Sequence, residues 1–120
     1  MRYNFKMKDN PRLIENHLKE KLSGEVRFDT LTRTLYSTDA SIYQIMPLGV
    51  VIPKDKEDAI TLVNFCRENE ITLHARGAGS GLSGESLGQG IILDFSKHLN
   101  QIIEINPAQK TATVQPGVTL

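Results

Sequence analysis

Apolar positions along this chain fall into two kinds of pattern, and each predicts an element. Leu13, Ile14, Leu18 and Leu22 recur at helical spacing behind Asn10-Pro11. Asparagine suits an N-cap and proline the first helical position, so a helix starts there, with Gly24 as its stop. Residues 49–53, GVVIP, are instead a short β-branched run with hard ends, which reads as a strand buried on both faces. Asp55 then caps a second helix, with Glu57 and Asp58 in its positive first turn. Ile60, Leu62, Val63, Phe65 and Cys66 give that helix an apolar face, and it ends near Asn69. Residues 71–75 read as the next buried strand. This strand–helix–strand unit favours a parallel pair joined by a right-handed crossover.

Further along, residues 90–95, GIILDF, are another strand. Residues 101–106 and 111–115 flank Pro107-Ala108-Gln109-Lys110, a hairpin whose proline suits a type I turn. Residues 26–37 alternate imperfectly and read as a short strand or turn followed by irregular chain; residues 36–47 read as loop. A new element is expected to begin at Val118. No internal repeat or low-complexity tract interrupts the pattern. The fold class is α+β, with short parallel strands and helices.

Composition narrows the function classes. With 120 residues the chain can build one modest core. Fourteen basic and fourteen acidic residues give zero formal charge, which argues against nucleic acid as a partner. Cys66 is the single cysteine, so no disulfide can close within the chain, and a reducing compartment fits. The opening MRYNFKMKDNPR has no apolar core of a signal peptide. No apolar run approaches the ~20 residues that span a bilayer. The expected location is the cytoplasm.

The candidate chemistry sits in residues 75–90, ARGAGSGLSGESLGQG, which carry Gly77, Gly79, Gly81, Gly84, Gly88 and Gly90 between two apolar runs. Glycine lets a ligand approach bare main chain, and successive N–H groups can converge on an anion. Gly79-Ser80-Gly81-Leu82-Ser83-Gly84 satisfies G-x-G-x-x-G. A dinucleotide fold, however, needs an amphipathic helix directly afterwards, and here the next strand arrives within a few residues. A Walker A loop needs Gly-Lys-Ser/Thr, and no lysine lies between Lys56 and Lys97. A kinase glycine loop would need a hairpin and a following valine, which are missing. The residues alone leave two readings: a loop that holds a phosphate or pyrophosphate, with Arg76 at its mouth, or a mobile surface linker. His17 and His98 read as surface residues, His74 as a packing residue, Cys66 as core; Asp94 takes no assigned role, and no spacing suggests a metal site.

In order, the elements resemble the first half of the FAD-binding domain of the vanillyl-alcohol-oxidase and p-cresol-methylhydroxylase flavoproteins. Within that family the branch of glycolate oxidase D-subunits and D-lactate dehydrogenases is most similar. The likeness covers residues 37–120, behind an N-terminal helical extension over residues 1–36. It is carried by Thr38-Asp39-Ala40-Ser41-Ile42-Tyr43 with Pro47, by Val50-Val51-Ile52-Pro53 and the helix after it, and by Arg76-Gly77-Ala78-Gly79-Ser80-Gly81-Leu82-Ser83-Gly84. Residues 90–95, Asn106-Pro107 and Val114-Gln115-Pro116-Gly117-Val118 complete it. Three positions depart from the family's habit: Ala75 for proline, Ala78 for glycine, Ser80 for threonine. Ala78 must then avoid positive φ, and no departure removes a backbone donor.

The resemblance implies FAD as cofactor, held by Ala75, Arg76, Gly77, Ala78, Gly79, Ser80, Gly81, Leu82, Ser83 and Gly84, with Pro116 and Gly117 as a second contacting turn. Arg76 could pair with phosphate or pin the loop to the sheet. Some relatives tether flavin through a loop histidine; Ser80 stands at that position and His74 is out of register, so the resemblance implies a flavin that is not covalently held through this loop. The implied activity is oxidation of a small 2-hydroxy acid. Catalytic base and substrate-binding residues are expected beyond Leu120, which would leave these 120 residues silent on their own and weak in FAD binding. Two alternatives stand beside this: an enolpyruvyl reductase of the same fold, and a non-enzymatic α/β module that binds an anion.

Overall fold

The computed structural model describes residues 7–119. Helix α1 (Pro11–Lys21) begins where Asn10 accepts from the Arg12 and Leu13 amides. It buries Ile14 and Leu18 completely. The helix ends at Leu22, whose N–H returns to the Leu18 carbonyl; Gly24 is therefore not its stop. That glycine is needed for close approach instead. A Cβ there would stand 2.8 Å from the Lys54 nitrogen and 3.0 Å from an Asp58 oxygen.

Strand β1 (Glu25–Arg27) follows, then a six-residue helix α2 (Thr30–Leu35) where irregular chain was expected. Asp29 makes that helix: its carboxylate accepts from both the amide and the hydroxyl of Thr32. Strand β2 (Gly49–Ile52) and helix α3 (Lys56–Glu68) lie where the pattern puts them, with Asp55 as cap of α3. The apolar face of α3 is narrower than expected. Leu62, Phe65 and Cys66 are buried, whereas Ile60 and Val63 are about half exposed.

Strands β3 (Leu73–Arg76) and β4 (Ile91–Asp94) complete a four-stranded sheet in the order β1-β2-β4-β3. β1 is antiparallel to β2, while β2 and β3 each run parallel to β4. β2 and β3 are thus co-directional but not neighbours, because β4 inserts between them. The expected buried strand at residues 71–75 is a partly exposed edge, and β4 is the strand buried throughout. Pairing choices of this kind depend on burial of whole faces, and local pattern does not encode them.

Strands β5 (Ile102–Asn106) and β6 (Thr111–Val114) form a separate antiparallel hairpin. The Lys110 N–H closes on the Pro107 carbonyl, with Lys110 at a φ of 54°, so Pro107 is the first residue of the turn. Val118 and Thr119 form no helix or strand, and Leu120 lies outside the described residues.

The main core joins α1, α3 and the sheet through Ile14, Leu18, Val51, Leu62, Phe65, Cys66, Ile91 and Leu93. His17 is part of this packing rather than a surface residue, since its ring stacks on Phe65 at 5.1 Å. Burial pushes the Cys66 thiol up to about 11. Near pH 8 an aromatic disulfide reagent should therefore leave folded protein untouched and titrate one thiol in denaturant, as followed by absorbance. Prompt reaction of the folded chain would contradict the burial. Among the described residues no helix is long and apolar enough to cross a membrane.

Candidate functional site

β3 and β4 are parallel neighbours, and residues 77–90 connect them without a helix. Parallel neighbours need a crossover of about a dozen or more residues, usually helical; here the crossover is loop, and it must return from the C-terminal end of β3 to the N-terminal end of β4. Positive φ occurs at two of its glycines, Gly79 at 67° and Gly84 at 76°. Ala78 is not among the positive-φ residues, so its side chain costs the backbone nothing there. Among the described residues, the main-chain N–H groups of residues 77–82 find no acceptor within the fold. Unpaired donors in succession at the end of a strand are the chemistry of an anion cradle.

The preceding segment is stitched onto this loop. The Ala40 N–H donates to the Gly79 carbonyl at 3.0 Å. Ser86 Oγ donates to Asp39 at 3.0 Å, and Asp39 also accepts from the Ser41 amide. The Tyr43 ring lies against Gly84, 2.8 Å from where a Cβ would stand. Ser41, and after it Ser86, hold the Asp39 carboxyl below its ordinary value of 3.8. A carboxyl lowered by folding adds stability above that value and loses it as the pH falls below, so acid loosens this seam.

Arg76 lies under the loop. Its Nη1 donates to the Thr38 carbonyl at 2.9 Å, its guanidinium covers the Tyr36 ring at 5.0 Å, and its Nη2 is 2.6 Å from a Cβ position on Gly79. Of the two roles open to Arg76, this geometry matches the pin. Tyr36 in turn donates its hydroxyl to buried Asp94 at 2.5 Å. Burial, reinforced by that carboxylate, pushes the Tyr36 phenol well above its usual range. Asp94 also accepts from the Ser96 amide, so it helps hold the end of β4 and does more than end a strand. Tyr36→Phe should leave that carboxylate short of a donor and cost about 1–3 kcal/mol. Chemical denaturation would measure it; an unchanged midpoint would mean the bond contributes nothing net.

The second turn reaches the same place. The Gly117 N–H donates to the Leu99 carbonyl at 2.8 Å, and the Pro116 carbonyl lies 3.8 Å from a Cβ position on Gly77. Pro116, Gly117 and the start of the glycine loop are therefore brought together. Ser80, Leu82 and Ser83 are exposed on the loop, and Ile42 and Tyr43 are exposed on the segment beside it. Ala75 is an exposed residue of β3, two positions before the loop begins. His98 is exposed, whereas His74 packs against Gly88 with its Nε2 buried and unpartnered.

Tyr36, Thr38, Asp39, Ser86 and Asp94 are the residues that sequence reasoning gave no role at the site. Each acts through a contact far away in the chain. The acidic cap-like residues Asp39 and Asp94, each with a serine two positions later, were the available signal.

Comparison with known proteins places these features in context. The FAD binding domain family matches residues 47–120. A D-2-hydroxyglutarate dehydrogenase of Pseudomonas putida is 38% identical over 110 residues, which cover 89% of this chain and 11% of that protein. The glycolate oxidase subunit GlcD of Bacillus subtilis is 39% identical over 114 residues, covering 88% of this chain and 24% of that protein. Among solved structures, alkyldihydroxyacetonephosphate synthase superposes with a TM-score of 0.72 at 19% identity, over 86% of this chain and 24% of that one. A substrate-bound p-cresol methylhydroxylase superposes at 0.65 and 20% identity, over 97% of this chain and 23% of that one. The chain thus spans about a tenth to a quarter of the length of these proteins.

Proposed function

The chain belongs to the FAD binding domain family, and from that premise we propose that it is the FAD-holding part of a flavin-dependent dehydrogenase or oxidase of small 2-hydroxy acids. The observation that carries the proposal is the row of unpaired N–H groups over residues 77–82, backed by a pinned arginine and closed by a second turn. These donors fit the pyrophosphate of FAD, whose oxygens accept several hydrogen bonds at once, and charge-assisted bonds of this kind are among the stronger ones. In this reading Gly77, Ala78, Gly79, Ser80, Gly81 and Leu82 present main chain to the phosphates. Ser80 and Ser83 add hydroxyls. Arg76 keeps the loop in place through Thr38 and Tyr36 and does not itself contact phosphate. Leu82, Ile42 and Tyr43 offer apolar surface beside the polar row, as a molecule with a charged bridge between two flat rings requires. Pro116 and Gly117 close the cradle from the side of Gly77.

The bound flavin supplies a two-electron acceptor, which turns a 2-hydroxy acid into a 2-oxo acid. The chain's own residues bind, orient and shield it. Ser80 offers no group for a covalent tether, so the cofactor is held non-covalently. The named activities of the relatives, on D-2-hydroxyglutarate and glycolate, support a 2-hydroxy acid as substrate class.

The test is a purified protein carrying this chain in its natural full length. It should show flavin absorption, release the flavin on acid precipitation, and bleach anaerobically with one of glycolate, D-lactate or D-2-hydroxyglutarate. Bleaching by NADPH and by none of the hydroxy acids would overturn the substrate class. Absence of any flavin would overturn the cofactor.

A further inference from the structure

The glycine loop already holds an anion of its own. Glu85 sits one residue past Gly84, and its Oε2 accepts the Ser83 N–H at 3.1 Å. The same carboxylate lies against Gly81, so closely that a Cβ at that position would overlap it. Ser83 is thus the one main-chain donor over residues 77–83 that is satisfied inside the loop, and a carboxylate satisfies it. Among the described residues no lysine or arginine forms an ion pair with Glu85. The side chain is exposed and free to leave.

We propose that Glu85 is a resident anion of the cradle that competes with a phosphate for its Gly81–Ser83 end and so sets the loop's preference for the ligand that binds there. This rests on the reading of the loop as a pyrophosphate site and adds to it. The physical argument is short. A carboxylate and a phosphate oxygen ask the same thing of a main-chain N–H, so both cannot occupy one donor. A like charge left a few ångströms from a dianion also repels it, by an amount that water and salt reduce at an exposed site. The phosphate must therefore displace the carboxylate and tolerate it nearby. A ligand lacking phosphate meets neither cost. The loop consequently imposes on every phosphate-bearing ligand a cost that a phosphate-free one does not meet.

The decisive comparison is the natural full-length protein, stripped of flavin, against its Glu85→Gln variant, titrated with FAD, riboflavin and inorganic pyrophosphate. Both proteins should fold alike, because the side chain is exposed. Glu85→Gln should bind FAD and pyrophosphate about three- to tenfold more tightly, with the gain shrinking in high salt, and riboflavin equally well. The Ser83 amide proton, assigned by NMR, should move upfield in the variant and shift on pyrophosphate addition in the unsubstituted protein. Equal or weaker FAD binding by Glu85→Gln, while the unsubstituted protein binds FAD, would overturn the role of Glu85 alone. Failure of both proteins to bind either phosphate ligand would overturn the phosphate-site reading and this inference with it.

Discussion

Gly79→Asp should empty the protein of flavin while leaving it folded. Gly79 sits at a φ of 67° with the Arg76 guanidinium packed against its open side. A side chain there meets three costs. The left-handed backbone is worth about 1–2 kcal/mol against most residues, and less against aspartate, which tolerates it. The new Cβ would stand 2.6 Å from Arg76 Nη2, so the arginine must move off Thr38 and Tyr36 or pair with the intruding carboxylate. In either case the pin under the loop is lost. The largest cost is the new negative charge where the proposed site puts the phosphates, about 4 kcal/mol at ~4 Å with an effective dielectric near 20. Together these predict at least a hundredfold loss of FAD affinity, read as the flavin-to-protein absorbance ratio after gel filtration. Gly79→Ala separates the causes. It carries the backbone and crowding costs without the charge and should lose about tenfold. A Gly79→Asp protein with full flavin content would place the cofactor somewhere other than this loop.

How much of this was legible beforehand depends on the range of each interaction. Asp55 with its helix, the β-branched run of β2 and the Pro107 hairpin all report local propensity, and all three stand where the pattern put them. The glycine loop was legible for the same reason: glycine at close spacing is a statement about backbone, and backbone is what the loop presents. Helix α2 was missed because six residues carry too little periodicity to stand out, although Asp29 was there to cap it. The strand order was missed because β4 enters between β2 and β3 only after the whole loop has closed. The supports of the site escaped for the most basic reason. Tyr36 reaches Asp94 across 58 positions, Ser86 reaches Asp39 across 47, and Arg76 reaches Thr38 across 38. No local window contains both ends of such a bond. A single arginine is equally good as a phosphate ligand or as a pin, and only the position of Thr38 and Tyr36 separates the two.

A second large effect is expected far from the loop, at Asp58. This carboxylate is 4% exposed and accepts three main-chain N–H groups: Ser23 at 2.9 Å, Gly24 at 2.8 Å and Lys54 at 2.9 Å. It ties the turn before β1 to the segment that leads from β2 into α3. Asp58→Ala would leave three donors without their acceptor in a partly buried turn. With hydrogen bonds to a charged group worth about 1.5–3 kcal/mol each, and water recovering some of the loss, the variant should be about 3–5 kcal/mol less stable. That is a large part of the 5–15 kcal/mol that holds an average domain together. Asp58→Asn retains one acceptor oxygen but turns an NH2 toward a donor, and should fall between Asp58→Ala and the unsubstituted protein. Asp55→Ala, which removes only the cap that the Asp58 amide uses, should cost about 1 kcal/mol. Urea unfolding of the three variants orders these effects. A loss of less than ~1 kcal/mol for Asp58→Ala would mean the turn finds other acceptors. The site is linked to this remote carboxylate through the pairing of the sheet. β1 registers on β2, β2 on β4, and β4 on the strand from which the glycine loop departs. Loosening the first turn should therefore lower flavin retention in proportion to the unfolded fraction, with the affinity of the folded molecules unchanged.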